Sequence, residues 1–590
     1  MVDMEQTNSV KKMLEQAVWC QKNSQLEKAA HLYHCALKLE PNIPNVHNLS
    51  GMLNVLQNNH KKAESNFKQA INLLPDQADL HANLANAYYH QKLYAQAIAE
   101  LEYCLQIDSD YWSAYLFIAT IYLETGDNEC AIKHLNNLLQ KDESNSKALV
   151  LLAKVHFSLK QYEIALEYYE RLNEKHPDDV GIIIDMGIIY QALGRYKHAL
   201  ANYNLAIEKA PQNELAYLNR SQLFMHTDQF NEALDDINVS INLNGNNAVA
   251  YNNLGTIYQK CINLPAAVQA YKQAISLKPD YVDAHINLAT AYLKSGNFNA
   301  GWEEFEWRLT LPKYGRAIIP ERDQLDMVLQ DKTVLVTTEQ GHGDTFQFIR
   351  FLQLLKQTGC NIILETSAPL IKILQCYRNF SGIVNSLTED ASQLHYDYCI
   401  PLMSLPYLFS INADNVTKDM PYFLSNPERR EHWREQLNAP YFKVGIAWSG
   451  NPQQINDRLR STDISNFLTF NNIPNLKLYS LQMDESKVLL QQHEYQHKII
   501  DLGCNWEETA AIIDNLDIVI TVDTAVAHLA GSMNKEVWVL LPYICDWRWL
   551  EQTEESPWYP SMRLFRQQSH NNWHELFERV EQALRLRVNL

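Results

Sequence analysis

The sequence lacks long apolar segments, and its acidic residues outnumber its basic ones. No stretch approaches the roughly 18 apolar residues that cross a bilayer, so we expect no membrane span. The first residues, from Met1 to Gln6, have neither the basic start nor the apolar stretch of a signal peptide, which favours a cytoplasmic location. With 50 Lys and Arg against 69 Asp and Glu, the net charge of −19 argues against nucleic acid as the main partner, because a polyanion would be repelled.

Paired cysteine motifs are also missing. The 10 cysteines include no Cys-x-x-Cys pair, and several, such as Cys104, lie at helix-packing positions of the repeat described next. Reduced, buried thiols are therefore expected in place of disulfides or a zinc site. The hydrophobic content of 46% is sufficient for large cores, and a length of 590 residues predicts about three or four domains.

Residues 10 to about 309 contain a repeat of 34 residues. Five prolines lie on this period, and other residues occupy its three remaining positions (Pro41, Pro75, Pro177, Pro211 and Pro279; Ser109, Glu143 and Gly245). Twelve residues before each position stands a small residue (Ala29, Ala63, Ala97, Ala131, Ala165, Ala199, Ala233 and Ala267). Four residues further on stands a bulky one (Tyr33, Phe67, Leu101, Leu135, Tyr169, Tyr203, Ile237 and Tyr271).

This pattern predicts pairs of packed helices. A small residue lets two antiparallel helices approach, a bulky one fills the next gap, and proline ends the second helix. The signature resembles the tetratricopeptide repeat. It predicts an α-solenoid of about nine repeats over residues 1–309, whose concave face binds an extended peptide or a partner protein.

Four asparagines occupy one position on the first helix of their repeats, and we call them the asparagine row (Asn83, Asn219, Asn253 and Asn287). A side-chain amide both donates and accepts hydrogen bonds, so a row of them could hold the backbone of an extended peptide. The same arrangement is known from O-linked N-acetylglucosamine transferases, which this half of the chain resembles. The alternative is that these amides cap or brace neighbouring helices.

From Lys332 onward, short β-rich runs alternate with helical stretches, which is typical of an α/β fold. Strands are predicted at 333–338, 361–365, 398–400, 442–448, 476–481 and 517–522, and helices at 345–357, 506–516 and 524–533. We divide this part into a linker (310–331), two Rossmann-like halves (332–425 and 441–590) and a hinge (426–440). Two such halves place a ligand cleft at their strand ends.

Three segments carry candidate cleft chemistry. The strand-to-helix segment with Thr521, Asp523, Thr524, Ala525 and His528 offers a helix N-terminus to a phosphate, although ordinary capping and packing would give the same pattern. Arg458 follows Trp448 in the same half and could neutralise a diphosphate; alternatively, Asp457 and Arg460 simply pair on a surface loop.

The third segment, Gly341-His342-Gly343-Asp344, is predicted as a tight loop in the first half. Its glycines allow a substrate close to the backbone, and Asp344 could take a proton from a hydroxyl. The alternative is a routine helix N-cap.

Together these segments resemble heptosyltransferase-like glycosyltransferases of the GT-B fold, in particular bacterial proteins that join a tetratricopeptide array to such a domain. The resemblance covers residues 282–575, and five further segments contribute to it (Gly301-Trp302-Glu303-Glu304-Phe305-Glu306-Trp307-Arg308, Ala447-Trp448-Ser449-Gly450-Asn451-Pro452, Ser480-Leu481-Gln482, Asp546-Trp547-Arg548-Trp549 and Ser556-Pro557-Trp558-Tyr559-Pro560-Ser561-Met562-Arg563-Leu564-Phe565-Arg566). One departure is His342, since relatives commonly have leucine before the Gly-Asp pair.

The resemblance implies a nucleotide-sugar substrate and an inverting transfer. Asp344 would be the general base, and Arg458, Thr521, Asp523, Thr524, Ala525 and His528 would hold the donor diphosphate. Trp448, Leu481 and Gln482 would lie near the nucleotide, and Gly341, His342 and Gly343 near the acceptor.

No metal or other cofactor is expected. Metal-dependent transferases of the other common fold need an Asp-x-Asp motif, and the only such triplet here, Asp108-Ser109-Asp110, lies in a repeat turn. The leading hypothesis is a cytoplasmic glycosyltransferase whose solenoid presents a protein acceptor. Transfer to a lipid or surface glycan, or a non-catalytic scaffold, are the alternatives. The sequence leaves the nucleotide, the sugar, the acceptor and homo-oligomerisation open.

Overall fold

A computed structural model describes residues 2–377, 380–416, 420–451, 457–483, 485–492, 495, 498–503 and 505–588. The chain forms two compact units, Met1–Asp228 and Gln229–Leu590. The boundary between them lies inside the repeats, whereas the sequence predicts a domain boundary at residue 309.

The first unit consists of consecutive α-helices. They are α1 (Val2–Lys22), α2 (Leu26–Leu39), α3 (Pro44–Leu56), α4 (His60–Leu73), α5 (Ala78–His90), α6 (Tyr94–Ile107), α7 (Trp112–Thr125), α8 (Asn128–Lys141), α9 (Ser146–Ser158), α10 (Tyr162–Lys175), α11 (Val180–Ala192), α12 (Tyr196–Lys209) and α13 (Glu214–His226). The second unit begins with five more: α14 (Phe230–Leu243), α15 (Ala248–Lys260), α16 (Leu264–Leu277), α17 (Val282–Lys294) and α18 (Phe298–Phe305). From Pro44 to Val282 each first helix starts 34 residues after the previous one, which confirms the predicted period.

The repeat positions pack as predicted. Each of the eight small residues is fully buried, and each bulky residue four positions later is at most 4% exposed. Some first helices carry glycine where the bulky ring lies: a Cβ on Gly187 would lie 2.5 Å from Cε1 of Tyr203, and one on Gly255 would lie 2.5 Å from Cε1 of Tyr271. These close contacts explain why the residues recur with the period.

The rest of the second unit contains ten strands: β1 (Thr333–Thr337), β2 (Asn361–Glu365), β3 (Ser386–Thr388), β4 (Tyr398–Pro401), β5 (Phe442–Ala447), β6 (Leu476–Ser480), β7 (Ile499–Asp501), β8 (Ile518–Val522), β9 (Val537–Leu541) and β10 (Met562–Arg566). Its helices are α19 (Leu325–Leu329), α20 (His342–Phe348), α21 (Leu352–Gln357), α22 (Ala368–Leu374), α23 (Phe380–Ile383), α24 (Leu405–Leu408), α25 (Pro427–Gln436), α26 (Asp457–Arg460), α27 (Trp506–Asp514), α28 (Ala525–Ser532) and α29 (Trp573–Val588).

The strands form two parallel sheets. The first has the order β3-β2-β1-β4, and the second has the order β10-β9-β8-β5-β6-β7. The second sheet is doubly wound: from β5 the chain adds β6 and β7 on one side, and it then adds β8, β9 and β10 on the other side. The C-terminal part is therefore α/β, with helices connecting the strands of parallel sheets.

Several elements differ from the sequence expectation. The segment predicted as a tight loop is the start of α20, with Gly341 at its N-cap and Asp344 in its first turn. The predicted hinge contains α25, whose Trp433 indole donates to Glu508 of α27. The sequence analysis did not predict β3, β7, β9 and β10, because short strands in a buried sheet carry little periodic signal.

The last repeat packs directly against the α/β part of the second unit. Trp302 is 1% exposed, its indole N–H donates to the carbonyl of Ile411 at 2.8 Å, and its ring contacts Phe348 and Trp547. Arg308 makes a buried ion pair with Glu339, the second residue after β1. The join is thus held by an aromatic cluster and by charged hydrogen bonds.

No helix of the described residues has the length and apolar character that a bilayer span requires. The nine described cysteines are free, and five of them are buried, whereas Cys261 is exposed.

Candidate functional site

A cavity of about 740 Å³ lies where strands of both sheets end. Its walls come from the segments at the carboxyl ends of five strands: 340–344 after β1, Ala447 at the end of β5 with 449–451 after it, 481–483 after β6, 523–526 after β8, and Asp546 with Arg548 after β9. It therefore includes the point where β5 and β8 meet and the connections diverge. Ligands of open parallel sheets bind at such a point.

The start of α28 forms one wall of the cavity. Thr524 is its N-cap in extended conformation, and the hydroxyls of Thr521 and Thr524 are 3.1 Å apart. Thr524, Ala525 and Val526 all line the cavity. The unpaired N–H groups of this first turn and the positive end of the helix dipole favour an anion.

Asp344 also lines the cavity, in the first turn of α20. One of its carboxylate oxygens accepts from the backbone N–H of Gly341 at 2.8 Å, and the other accepts from the guanidinium of Arg548. Burial raises the pKa of Asp344, while Arg548 opposes this shift. The predicted base is thus held by an arginine that follows β9, in the other sheet.

Asp523 is a second buried carboxyl of the cavity. Burial and the nearby charge of Asp546 raise its pKa to about 6, and Arg460 opposes the rise. Near neutral pH a fraction of this group is consequently protonated, which would reduce its repulsion of an anionic ligand.

Two neutral histidines flank the same space. Burial and nearby arginines lower the pKa of His528 well below its usual value, and its Nδ1 lies 3.1 Å from the hydroxyl of Tyr559. His342 Nδ1 accepts from the indole N–H of Trp506 at 3.0 Å, so the proton of the neutral ring is on Nε2, 3.4 Å from the hydroxyl of Ser367. His342 therefore links α20 with α27.

Gly343 lies at the closest approach of the two cavity helices. A Cβ on this residue would lie 3.0 Å from Cδ2 of His528 and 3.3 Å from Cα of Ala525. Glycine here lets the starts of α20 and α28 lie side by side.

The structure brings most of the predicted residues together. Ten of them line the cavity (Gly341, His342, Gly343, Asp344, Leu481, Gln482, Asp523, Thr524, Ala525 and His528). Gln482 also braces the site, because its amide accepts from the backbone N–H of Trp448 at 3.0 Å and donates to the carbonyl of Ser449 at 2.9 Å.

Three predicted residues lie elsewhere. The indole of Trp448 lies in the hydrophobic core on the face of the second sheet that carries Val444 and Ile446, because Trp448 continues their alternation. Thr521 is fully buried at the end of β8 and contacts Thr524. Arg458 is exposed and is not among the described residues lining the cavity, whereas Arg460 lines it. Arg460 also pairs with Asp457 at 3.0 Å, but the pair lies in α26 with Asp457 buried, and not on a surface loop as in the alternative interpretation.

Arg548 and Asp546 are cavity residues to which the sequence analysis assigned no role. Arg548 donates to Asp546 at 2.8 Å and to Gln347 at 3.0 Å as well as to Asp344. The segment Asp546-Trp547-Arg548-Trp549 was visible in the sequence, but the position of Arg548, 204 residues after Asp344, gave no sign of the contact.

The asparagine row makes two kinds of contact. Asn83 donates to Asn48 at 2.9 Å, and Asn287 donates to Asn252 at 3.0 Å, so these amides brace consecutive repeats, in agreement with the alternative interpretation. Asn219 donates to the carbonyl of Leu215. The amide nitrogen of Asn253 is buried and has no hydrogen-bond partner among the described residues.

No group of three or more His, Cys, Asp or Glu side chains suited to a metal ion occurs in the part of the chain that the structure describes. The expectation of a metal-independent site remains a prediction.

Family models match the repeats. A model described as TPR repeat matches residues 263–296, and four described as tetratricopeptide repeat match residues 54–102, 118–180, 152–224 and 247–278. Protein FlbA of Caulobacter vibrioides is 25% identical over 315 residues, which are 48% of this chain and 52% of that protein. The chain thus spans about half the length of this relative.

Two similar solved structures each align with about half of this chain. A tetratricopeptide repeat protein of Parabacteroides merdae is 18% identical, with a TM-score of 0.34 over 48% of this chain and 98% of that one. Yeast Tom70 is 13% identical, with a TM-score of 0.29 over 52% of this chain and 93% of that one. From the matched family models and the helix periodicity, the N-terminal half of this chain consists of tetratricopeptide repeats.

Proposed function

We propose that the cavity binds a nucleoside-diphosphate sugar and transfers the sugar to a hydroxyl group of a protein acceptor. The observation that carries this proposal is that Asp344 and the start of α28 line the same cavity. A helix start suits the diphosphate, and a carboxylate in the same cavity suits the acceptor hydroxyl.

The donor would lie along the second sheet. Its diphosphate would face the N–H groups of Ala525 and Val526, and Arg460 would supply positive charge in place of the exposed Arg458. Leu481 and Gln482 line the side where β6 ends, which suits the nucleoside. Charge that develops on the leaving group would then be stabilised by fixed dipoles and by a cation.

The transfer itself would be a single displacement. The acceptor oxygen forms a bond to the anomeric carbon while the bond from that carbon to the phosphate oxygen breaks, and the electron pair leaves on the nucleoside diphosphate. Asp344 accepts the hydroxyl proton and later releases it to solvent. Attack from the face opposite the leaving group inverts the anomeric configuration.

The repeats support a protein as the acceptor. Tetratricopeptide stacks bind extended segments and partner proteins, and the last repeat is packed onto the α/β part through Trp302 and Arg308. A segment held by the repeats of the second unit would have a short path to the cavity.

The experiment separates binding from chemistry. The full chain is tested for binding of UDP, GDP, ADP and CMP by calorimetry, and then for sugar transfer to cell proteins with the matching nucleotide sugars. Ala525→Leu, which fills the helix start, should abolish binding. Asp344→Asn should retain binding and lose transfer, and Asp326→Asn, at an exposed position of α19, should retain both.

Two outcomes would contradict the proposal. If none of the four nucleotides binds, the alternative of a non-catalytic scaffold built on tetratricopeptide repeats is favoured. Undiminished transfer by Asp344→Asn would exclude Asp344 as the base.

A further inference from the structure

Arg548 is the most heavily bonded cation of the cavity. Its guanidinium donates to Asp344, to Asp546 at 2.8 Å and to Gln347 at 3.0 Å, and it lies 4.3 Å from the ring centre of Trp547. It therefore contacts two carboxylates at once, one from each half of the α/β part. Each of these two ion pairs compensates part of the positive charge of Arg548.

The charges around the cavity make this pairing consequential. Among the described lining residues, the carboxylates are Asp344, Asp523 and Asp546, and the cations are Arg460 and Arg548. Arg460 is already paired with Asp457. An arriving diphosphate would compete with these carboxylates for guanidinium groups, because both are oxygen anions that accept the same forked hydrogen bonds.

We propose that Arg548 transfers its ion pair from Asp344 to the phosphates of a bound donor, so that Asp344 is released to act as a base only in the donor complex. This inference rests on the proposed function for the identity of the donor. It assigns Arg548 a contact with the leaving group, and it makes donor binding a condition for proton abstraction.

The surrounding contacts allow such a transfer without unfolding the site. After it, Arg548 keeps Asp546 and Gln347, and Asp344 keeps the N–H of Gly341. Asp344 then has one hydrogen bond fewer and an oxygen available to a hydroxyl. A free enzyme whose base is paired with arginine would be protected from premature reaction with water.

The first test uses inorganic pyrophosphate as the probe and calorimetry on the full chain at about pH 8. Arg548→Gln should bind pyrophosphate at least about tenfold more weakly than wild type, the scale of one charged hydrogen bond. Asp344→Asn should bind it more tightly, by up to about tenfold, because a competitor for the guanidinium is removed. The double variant should bind like Arg548→Gln alone.

Matched variants keep the test interpretable. Arg563→Gln removes an exposed arginine that pairs with Glu554 outside the cavity and should leave pyrophosphate affinity unchanged. Arg548→Lys keeps the charge and should bind between wild type and Arg548→Gln. Circular dichroism and thermal unfolding confirm that each variant is folded.

A second readout applies if sugar transfer is observed. Arg548 opposes the burial-driven rise of the pKa of Asp344, so the acid limb of kcat should lie at higher pH than that of kcat/KM. In Arg548→Gln the two limbs should coincide. Asp546 also faces this carboxyl and stays ion-paired with Arg548 in both states, and the neutral rings of His342 and His528 flank the same cavity, so none of the three would create the difference. Asp523 has a pKa of about 6 in the same cavity, so the two pH profiles are compared in an Asp523→Asn background.

The outcomes distinguish the two proposals. The proposed transfer of the Arg548 ion pair is overturned if Asp344→Asn binds pyrophosphate no more tightly than wild type. It is also overturned if pyrophosphate binds neither the wild type nor any variant. Tighter binding by Asp344→Asn without turnover of any nucleotide sugar supports the role of Arg548 and overturns the proposed function.

Discussion

Replacing Arg308 with methionine should destabilise the second unit strongly, and more at alkaline than at acidic pH. Arg308 is 2% exposed. Its guanidinium donates to both oxygens of Glu339, at 2.8 and 3.1 Å, and to Glu306 at 2.6 Å and Ser404 at 2.9 Å. These bonds join the last repeat to the segment after β1 and to the turn before α24.

The magnitude follows from what the substitution leaves behind. Methionine fills much of the same volume but leaves two carboxylates in a buried site without their counter-ion. Breaking a buried pair by removing one partner costs about 3–5 kcal/mol. Glu339 keeps the hydrogen bond from the N–H of Met403 at 3.0 Å, so the lower half of that range is expected.

The pH dependence has a defined sign. Burial already raises the pKa of Glu306 in the folded protein, and Arg308 opposes that rise. Without Arg308 the folded pKa rises further above the unfolded value, so the folded state gains from protonation at low pH and loses that gain as the pH rises. The difference in unfolding free energy between wild type and Arg308→Met should thus be smaller at about pH 5 than at about pH 8.

Tryptophan fluorescence in urea is the assay. Ten of the 12 tryptophans lie in the second unit, since Trp19 and Trp112 are the two in the first, so the signal follows the second unit. Arg563→Met, which breaks an exposed pair, should cost less than about 0.5 kcal/mol. Replacing Arg308 and Glu339 together by methionine should recover part of the loss. A loss below about 1 kcal/mol that does not vary with pH would refute the reasoning.

Three further predictions concern single sites. Gly343→Ala should cost about 1–3 kcal/mol in unfolding free energy and weaken nucleotide binding, because its Cβ would meet backbone of α28, while Gly382→Ala, with open space around it, should be neutral. Asp523→Asn should reduce the decrease of unfolding free energy between about pH 5 and pH 7. The pKa of Asp523 in the folded protein, about 6, is higher than in the unfolded chain, so protonation of this group stabilises the folded state below that pH. An unchanged slope of unfolding free energy against pH would contradict this. Asn287→Ala should cost about 1 kcal/mol and Asn253→Ala much less, as urea unfolding would show, and equal losses would refute the bracing role.

The repeats and the first strands of each sheet could be predicted because their signals are local. A 34-residue period, a buried alanine such as Ala199 and a ring such as Tyr203 four residues later define one packing unit that neighbouring units reuse. Strands β1, β2 and β8 are dense in β-branched or aliphatic residues and end in polar turns.

The candidate site was predictable only in part. The residues after β1, β6 and β8 were expected at one cleft, since carboxyl ends of parallel strands share an edge, and they do line one cavity. Trp448 was misplaced although the sequence held the answer: in β5 and just beyond it, Val444, Ile446 and Trp448 share one face by the period of two, and that face is the core. Arg458 and Arg460 are two positions apart and so lie on nearly opposite sides of α26, and only the placement of that helix decides which of them lines the cavity.

By itself, the sequence determined the solenoid, the change to an α/β part and the residues that end its strands, because each depends on periodicity within a few dozen residues. Only the tertiary structure decided which charges meet. The pairs Asp344–Arg548 and Arg308–Glu339 join segments 204 and 31 residues apart, and no local pattern specifies a contact made by folding two sheets and the last repeat onto one another. The state of the predicted base is consequently a property of the fold and not of its own segment.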